Sequence, residues 1–169
     1  MELDHEAPAV VDGCETCSLL QRRDRGEAPA WDRIVRTSFW DVVHSYDTSL
    51  EGWLVLVVRR HLTALADLSG DESLDVGRLI RRVSAALHEV LGCPKTYVAQ
   101  FAESPAHQHV HVHVIPRPSD LSAEARGPGI FRFAGVETEA RVTEERMNDI
   151  TYQLRRVLGD LEEFQAQVR

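Results

Sequence analysis

One stretch of the chain constrains its fold more than any other, and it reads His107-Gln108-His109-Val110-His111-Val112-His113-Val114-Ile115-Pro116-Arg117. Histidines occupy every second position from 107 to 113, and valines separate the last three of them. Successive side chains of a β-strand point to opposite faces, so this spacing puts four imidazoles on one face and the valines on the other. On a helix the same residues would spread around the axis. The stretch therefore predicts a strand with an apolar face and a histidine face.

This strand contains four of the eight histidines in the chain. A single histidine in a strand is most often a structural residue that packs and hydrogen-bonds. A row of four is different, because apolar side chains would fill a core face more favourably. Metal binding, phosphate chemistry or both are the interpretations that the row leaves open.

Composition and charge narrow the class of protein. The 169 residues suit a single domain with its own core, and 43% hydrophobic with 27% charged residues is typical of a globular protein. A net charge of −8 argues against a general nucleic-acid-binding surface, although a small anionic ligand is still compatible with it. The sequence has no apolar run of the ~20 residues that would span a membrane, and its acidic N-terminus does not resemble a secretory signal. These features predict a cytoplasmic protein.

A second motif, Cys14-Glu15-Thr16-Cys17, lies near the N-terminus. A Cys-x-x-Cys pair in a reducing compartment is usually redox-active or forms half of a zinc site. The redox type normally follows a buried strand, and no such strand is predicted before Cys14. The zinc type needs two further nitrogen or sulfur ligands, so the pair alone leaves open whether it binds zinc or nothing. Cys93, in Gly92-Cys93-Pro94, is interpreted as a turn residue.

Hydrophobic patterning predicts strands at 33–37, 39–46, 53–58 and 96–101, in addition to the histidine strand. The run at 53–58 is continuously apolar, so we expect both of its faces to be buried, and it leads into Arg59-Arg60-His61. His61 is therefore expected at the mouth of a strand. A short loop joins 96–101 to the histidine strand, which predicts an antiparallel hairpin with Gln100 beside the histidines.

Helices are predicted at 18–23, 71–91 and 143–165, and a long loop at 118–141. Ser69 and Glu72 have the spacing of a capping box at the start of the second helix. Apolar residues repeat at three- and four-residue steps along both long helices, so each should bury one stripe. They are Leu79, Ile80, Val83, Ala86, Leu87, Val90 and Leu91 in one helix, and Met147, Ile150, Leu154, Val157, Leu158, Leu161 and Phe164 in the other.

The segment 109–115 resembles the His-φ-His-φ-His-φ-φ signature of the histidine triad superfamily of nucleotide hydrolases and transferases, where φ is apolar. Pro116-Arg117, the segment 52–61 and Leu65-Ala66-Asp67-Leu68 are also similar to that superfamily. The resemblance covers residues 14–117. It implies an α+β fold with an antiparallel sheet of about five strands and two main helices, usually as a homodimer. The expected organisation is a disordered leader at 1–13, the histidine triad domain at 14–117, and a loop and helix extension at 118–169 packed on that domain.

The resemblance also implies roles for the histidines. His111, the middle residue of the triad, would attack the α-phosphorus of a nucleotide conjugate of the adenosine phosphoramidate or dinucleoside polyphosphate type. The catalytic set would be His109, His111 and His113, and a covalent nucleotidyl-histidine would divide one displacement into two easier ones. His113 would contact the phosphate, with a charge that offsets the phosphate oxygens if it is protonated. His107 and Gln100 are expected in the phosphate-binding region.

Some members of this superfamily, and the related galactose-1-phosphate uridylyltransferases, bind zinc through a Cys-x-x-Cys pair and two histidines. Transferred residue by residue, the resemblance implies zinc at Cys14, Cys17, His61 and His109, a set that suits a closed tetrahedral site. Such a zinc would be structural, and the phosphoryl chemistry would need no metal.

Trp53 departs from the superfamily pattern, because many members have a histidine directly after the glycine that corresponds to Gly52. His107 or His44 could compensate for that histidine. Two alternatives to an enzyme stay open. Trp53 favours a non-catalytic nucleotide-binding module, and the histidine row itself leaves open a protein that binds metal directly through it. A cupin-like metal site would need a glutamate shortly after the histidines, and the chain has none between His113 and Asp120.

Overall fold

A computed structural model describes residues 11–167 of the chain, with side chains described up to Gly159. The α-helices are α1 (Glu15–Asp24), α2 (Gly70–Leu91) and α3 (Glu144–Gln167). The strands are β1 (Val35–Arg36), β2 (Trp40–His44), β3 (Leu54–Val58), β4 (Lys95–Ala99) and β5 (His111–Arg117). Most of the predicted leader, residues 1–10, lies outside the described residues, as do the side chains of Leu161 and Phe164 from the predicted stripe of α3.

The five strands form one antiparallel sheet in the order β1-β2-β3-β5-β4. This confirms the predicted α+β class and the predicted hairpin of β4 with β5. The histidine strand β5 lies between β3 and β4, with His111 opposite Val57 and His113 opposite both Val55 and Ala99. His113 is therefore flanked by paired strands on both sides, whereas His111 is paired with β3 alone.

The valine face of β5 lies against the main hydrophobic core, as the alternation predicts. Val112 and Val114 pack with the apolar residues of β2 and β3 and with the buried stripes of α2 and α3. Helix α2 begins at the predicted capping box, in which Ser69 and Glu72 exchange hydrogen bonds, and ends at Gly92 in the left-handed conformation. The long helices thus cover one face of the sheet and leave the histidine face to other elements.

The histidine face is covered by α1 and by the segment that follows β5. Leu20 of α1 packs on Val43 and Val57, at the end of the sheet nearer β2. At the other end, Trp53 and Ile115 are buried together with side chains from the 3₁₀ turns of residues 121–133. A cavity is left between these two covers, directly over β3 and β5.

The structure corrects one prediction about the histidine strand. The strand begins at His111, whereas His107 ends a 3₁₀ turn at Pro105–His107 and is not part of the row. Proline starts a turn readily because its φ is fixed and it lacks an N–H, and this turn takes up the residues before the strand. The four imidazoles therefore do not lie on one strand face, although the last two do.

Other predicted elements are present with shifted ends. Helix α1 starts at Glu15, directly after Cys14, which is three residues earlier than predicted. The first predicted strand is shortened to two residues, and the final helix agrees within two residues at each end. Among the described residues, the structure has no helix that is both long and apolar enough to cross a lipid bilayer.

Gly52, at the turn into β3, supports a specific prediction about stability. Its φ is +77°, and a Cβ built there would clash with Cδ1 of Leu91 and lie 3.1 Å from Cδ2 of the fully buried Leu87, both on α2. We expect Gly52→Ala to lower the free energy of unfolding by about 2–4 kcal/mol, because left-handed strain and overpacking add. Gly135→Ala is the matched control, since its φ is +64° but its Cβ would meet open space. Equal losses in the two variants, measured by urea unfolding, would contradict the packing component.

Candidate functional site

The cavity over the histidine face has a volume of about 340 Å³. Its floor is formed by side chains of β2, β3 and β5, and its walls come from α1, the loop after β4 and the segment around Phe131. The described lining residues are Thr16, Leu19, Arg23, Asp32, Val43, His44, Ser45, Tyr46, Asp47, Trp53, Val55, Val57, Phe101, Ala102, Glu103, Ser104, His107, His111, His113, Phe131 and Ala134. His111 and His113 are thus the residues of the predicted triad that face the cavity.

The orientation of His111 is set by its own strand. Its Nδ1 lies 2.7 Å from the backbone carbonyl oxygen of His109, which can only accept, so Nδ1–H donates. In the neutral ring the lone pair is therefore on Nε2. Burial lowers the pKa of His111, with a smaller contribution from His107 nearby. The ring is half-buried in the cavity floor and meets His113 edge to face at a centroid distance of 5.0 Å.

His113 is bonded to the residue that departs from the superfamily pattern. The indole Nε1–H of Trp53 donates to Nδ1 of His113 over 3.0 Å. Burial, and secondarily His111, lower the pKa of His113 to about 4. This environment favours the neutral ring at neutral pH, and the contact of His113 with a phosphate stays a prediction.

His44 is completely buried and has both ring nitrogens occupied. Its Nδ1–H donates to the Ser45 carbonyl at 2.7 Å, and its Nε2 accepts from the Gly52 N–H at 2.9 Å. Burial lowers the pKa of His44 to about 4. The ring links the end of β2 to the turn before β3, so it supports the cavity wall and has no free nitrogen with which to compensate for Trp53.

The environment of His44 predicts how stability depends on pH. Because the pKa of His44 is about 4 when folded and near 6.5 ordinarily, the unfolded chain binds more protons between these values. The contribution of neutral His44 is therefore complete above pH 6.5 and is lost as the pH falls toward 4. Between pH 7 and pH 5, urea unfolding of the wild type should lose about 2 kcal/mol more than His44→Gln, which does not titrate. An identical pH dependence in both proteins would refute this assignment.

The predicted zinc ligands come together at one end of the site. Cys14 is the N-cap of α1 and its sulfur accepts from the Cys17 N–H, so the Cys-x-x-Cys spacing turns both sulfurs to the same side. Nδ1 of His109 lies 3.6 Å from the Cys17 sulfur and 3.7 Å from the Cys14 sulfur, and Nδ1 of His61 lies 3.3 Å from the Cys17 sulfur. All four ligand atoms are within 4.8 Å of one another, and no other such group occurs among residues 11–159.

The chemistry of this group fits a zinc ion. Sulfur–nitrogen separations in a tetrahedral zinc site are about 3.6 Å, from the usual Zn–S and Zn–N bond lengths. Nε2–H of the buried His109 donates to the Val58 carbonyl at 2.7 Å, which leaves Nδ1 as the ligand nitrogen and fixes the tautomer. Burial raises the pKa of the Cys17 thiol, so this thiol favours its protonated form unless a cation binds. Cys14, Cys17, His61 and His109 would hold the ion and link α1 to β5.

His107 and Gln100, the other predicted site residues, lie in different places. His107 lines the cavity from its 3₁₀ turn, with Nδ1 2.9 Å from the Thr16 hydroxyl and Nε2 3.4 Å from a Glu15 carboxylate oxygen. Gln100 directly follows β4 and is half-buried, but it is not among the lining residues, whereas Phe101 is. The structure therefore brings His107 to the cavity and leaves Gln100 outside its described lining.

Several cavity residues carried little signal in the sequence. Phe101 and Phe131 meet edge to face at 5.3 Å, and Phe131 also contacts Trp53, so aromatic rings continue from His113 toward solvent. These residues lie in irregular segments without periodicity. Asp47 and Glu103 add two carboxylates to the lining. Arg23 forms a salt bridge with Asp32, with 2.7 Å between its Nη2 and the Asp32 Oδ1.

Comparison with known proteins gives structural matches alone. No protein-family model and no curated protein matches the chain. A zinc-bound histidine triad family protein from Mycobacterium smegmatis aligns with a TM-score of 0.63 and 20% identity, over 89% of this chain and 96% of that one. A hypothetical histidine triad nucleotide-binding protein from Sulfolobus tokodaii aligns with a TM-score of 0.66 and 14% identity, over 88% and 94%. A histidine triad protein from Bradyrhizobium japonicum aligns with a TM-score of 0.61 and 24% identity, over 75% of this chain and 89% of that one.

Identities in this range are evidence of a shared fold. The three structures share the overall fold over most of the chain, and one of them is a zinc-bound protein. The resemblance first seen in residues 109–115 is therefore confirmed at the level of architecture, and the chain has the histidine triad fold with a Cys₂His₂ group suited to zinc.

Proposed function

We propose that the protein is a nucleotide hydrolase or nucleotidyl transferase that acts on the α-phosphate of a nucleotide conjugate through a covalent intermediate on His111. One observation carries the proposal. The Nδ1–H of His111 donates to the His109 carbonyl, so the Nε2 lone pair is left free beside a cavity that also contains His113. A neutral imidazole held in this way needs no base to activate it as a nucleophile.

The reaction is written in two displacements. Nε2 of His111 forms a bond to the α-phosphorus as the bond from phosphorus to the leaving group breaks, and the leaving group keeps that electron pair. The ring now carries a positive charge, which the hydrogen bond from Nδ1–H to the His109 carbonyl stabilises. Water, or another acceptor, then attacks phosphorus and loses its proton, and the bond to Nε2 breaks to regenerate neutral His111.

The shape of the cavity supports a nucleoside as the group attached to that phosphate. Leu19, Val43 and Val57 form an apolar region that extends from β5 toward β2. Two strand spacings separate β5 from β2, about 10 Å, which is the length scale of a nucleoside monophosphate from its base to its phosphate. We propose that the base lies over this apolar region and that Asp47, at the cavity wall, accepts a hydrogen bond from a sugar hydroxyl.

The charges in the cavity favour one of the two predicted substrate types. The described lining contains the carboxylates of Asp47 and Glu103, and its one arginine, Arg23, is paired with Asp32. A polyphosphate chain gains little electrostatic stabilisation from such a lining. We therefore propose that conjugates with a single phosphate, of the adenosine phosphoramidate type, are better substrates than dinucleoside polyphosphates. Comparing kcat/KM for the two types tests this choice, and a preference for the polyphosphate would reject it.

We propose a structural role for zinc and a homodimeric assembly. A zinc ion bound by Cys14, Cys17, His61 and His109 would supply a cross-link between α1 and the start of β5, without taking part in the phosphoryl transfer. Strand β4 lies at an edge of the sheet, and Val98 on it is half exposed. Pairing of this edge with a second copy would cover it, which supports a homodimer. The free cysteines are compatible with a reducing cytoplasm.

Intact-mass measurement tests the proposed function directly. The purified protein is mixed with adenosine 5′-phosphoramidate, quenched within one turnover, and digested to locate any adduct. A mass increase of one nucleotidyl group on His111, a nucleoside monophosphate less one water, is the expected result. Turnover without an adduct on His111, or an adduct on another histidine, would reject the mechanism. Tight nucleotide binding with neither adduct nor turnover would instead support the non-catalytic module.

A further inference from the structure

Trp53 occupies the position at which the chain departs from the superfamily pattern, and its indole is bonded to the last histidine of the row. Nε1–H of Trp53 donates to Nδ1 of His113 over 3.0 Å, with the ring planes at 89° and the centroids 5.8 Å apart. We infer that Trp53 is a positioning residue that fixes His113 as the neutral tautomer with its proton on Nε2. His113 then donates a hydrogen bond and does not act as an acid, a consequence for catalysis that rests on the proposed function.

The direction of this hydrogen bond follows from the chemistry of the two rings. An indole N–H donates and cannot accept, so Nδ1 of His113 must be the acceptor and cannot carry a proton. The single proton of the neutral imidazole is therefore on Nε2. Protonating Nδ1 would place two N–H donors opposite each other and leave a buried donor without an acceptor. This cost disfavours the imidazolium form.

Packing prevents the indole from turning away. Trp53 is 1% exposed and lies in a hydrophobic cluster with Ile115 and Ile130. Phe131 meets the indole edge to face, with a centroid distance of 5.6 Å, and also approaches His113. A histidine in place of Trp53 could donate or accept, depending on its own protonation. Tryptophan at this position removes that choice and keeps one tautomer of His113.

The charged and titratable groups around His113 agree with a neutral ring. His111 is its neighbour on β5 and disfavours a second positive charge, whereas Asp47, from the connection of β2 and β3, favours one. Glu103, His107 and Tyr46 line other parts of the same cavity. Burial outweighs the attraction of the Asp47 carboxylate. The geometry of the Trp53 bond and the surroundings of the ring therefore favour the same state.

A neutral His113 has a defined effect on the proposed reaction. Its Nε2–H can donate to a phosphate oxygen as negative charge develops there. Loss of that proton would produce an imidazolate, so His113 does not protonate the leaving group at neutral pH. The rate should consequently show no change that follows a titration of His113 between pH 5 and pH 8.

Nitrogen-15 NMR of the full chain, labelled at histidine, measures the tautomer without using activity. Unprotonated and protonated ring nitrogens have well-separated shifts, and the His113 signals are assigned by their loss in His113→Asn. In the wild type we expect an unprotonated Nδ1 and a protonated Nε2 throughout pH 5–8. In Trp53→Phe we expect a mixture of tautomers and a rise of about one unit in the pKa of His113, the size expected for loss of one hydrogen bond.

Matched variants separate the effect of the indole N–H on His113 from the effects of side-chain size and of protein stability. Trp40→Phe loses a buried indole whose N–H donates to the Glu72 carbonyl elsewhere in the structure, so it should leave the His113 signals unchanged. Benzothienylalanine at position 53 keeps the shape of tryptophan without the N–H and should reproduce Trp53→Phe. A protonated Nδ1 in the wild type would overturn the inference even if both position-53 variants failed to fold. An unchanged tautomer in folded Trp53→Phe would also overturn it.

Failure of this inference can be distinguished from failure of the proposed function. The NMR measurement reports on His113 whether or not the protein turns over a substrate. The adduct measurement reports on His111 whichever tautomer His113 adopts. A fixed tautomer without an adduct would leave Trp53 as the positioning residue of a binding site, whereas an adduct with a mixed tautomer would retain the enzyme and reject the role of Trp53.

Discussion

His111→Ala should lower kcat/KM for a nucleotide conjugate by roughly 10³- to 10⁶-fold, the range seen when a nucleophile is removed from an enzyme. The physical reason is that the variant has no free lone pair beside the α-phosphorus, and His113 offers none on its cavity side if Trp53 occupies its Nδ1. Binding should survive, because the apolar floor around Val43 and Val57 is unchanged. Steady-state kinetics and the dissociation constant for a nucleoside monophosphate measure the two effects separately.

Two further variants make this experiment specific. His111→Asn keeps a polar group that can donate to the His109 carbonyl, so it should be folded and still inactive. His88→Ala removes an exposed histidine of α2 whose Nδ1 contacts the Cys93 carbonyl, outside the described cavity lining, and should retain full activity. Wild-type turnover by either His111 variant would disprove the assignment of the nucleophile. A similar loss in His88→Ala would show that the assay reports on stability.

Alternation in the sequence was sufficient to predict the strand at the centre of this fold. The valines of β5 pack in the main core and His111 and His113 face the cavity, as a period of two requires. The start of the strand could not be predicted in the same way. Backbone hydrogen bonds of Val110 with Leu62 and Val58 hold the chain before the strand begins, and these partners are about 50 residues away. His107 therefore continues the alternation in the sequence, but it does not lie on the strand.

The cavity shows a second limit of sequence reasoning. Trp53 was recognisable as a departure from a family pattern, but its bond to His113 depends on the pairing of β3 with β5 and on a ring orientation that packing sets. His44 is a second example, because the sequence alone allows it to replace the missing histidine. Its two nitrogens are used by the backbone of residues 45 and 52, a contact that no spacing rule anticipates. The residue type thus indicates which chemistry is available, whereas the neighbouring residues in the fold decide which of its nitrogens are free to take part.

Cys14→Ser should remove the zinc and destabilise the protein. Metal analysis of the wild type is expected to find about one equivalent per chain, and the variant should retain only a small fraction. If zinc is present at 1,000 times its dissociation constant, its loss lowers the free energy of unfolding by about 4 kcal/mol. The effect should be greatest in α1, because Cys14 is its N-cap, Cys17 is in its first turn, and its Leu19 and Arg23 line the cavity. Hydrogen exchange in residues 15–24 measures this local loosening.

Cys93→Ser is the matched control, since Cys93 is also buried and free but lies outside the Cys₂His₂ group. It should keep its zinc and its protection in α1, whereas equal zinc loss in both variants would contradict the ligand assignment. Chelation of the wild type separates a structural ion from a catalytic one. With a structural ion, turnover falls only as α1 loosens, because the free lone pair of His111 and the donor on His113 need no metal. An immediate stop in turnover, with hydrogen exchange in α1 unchanged, would instead place the metal in the reaction and reject the structural role.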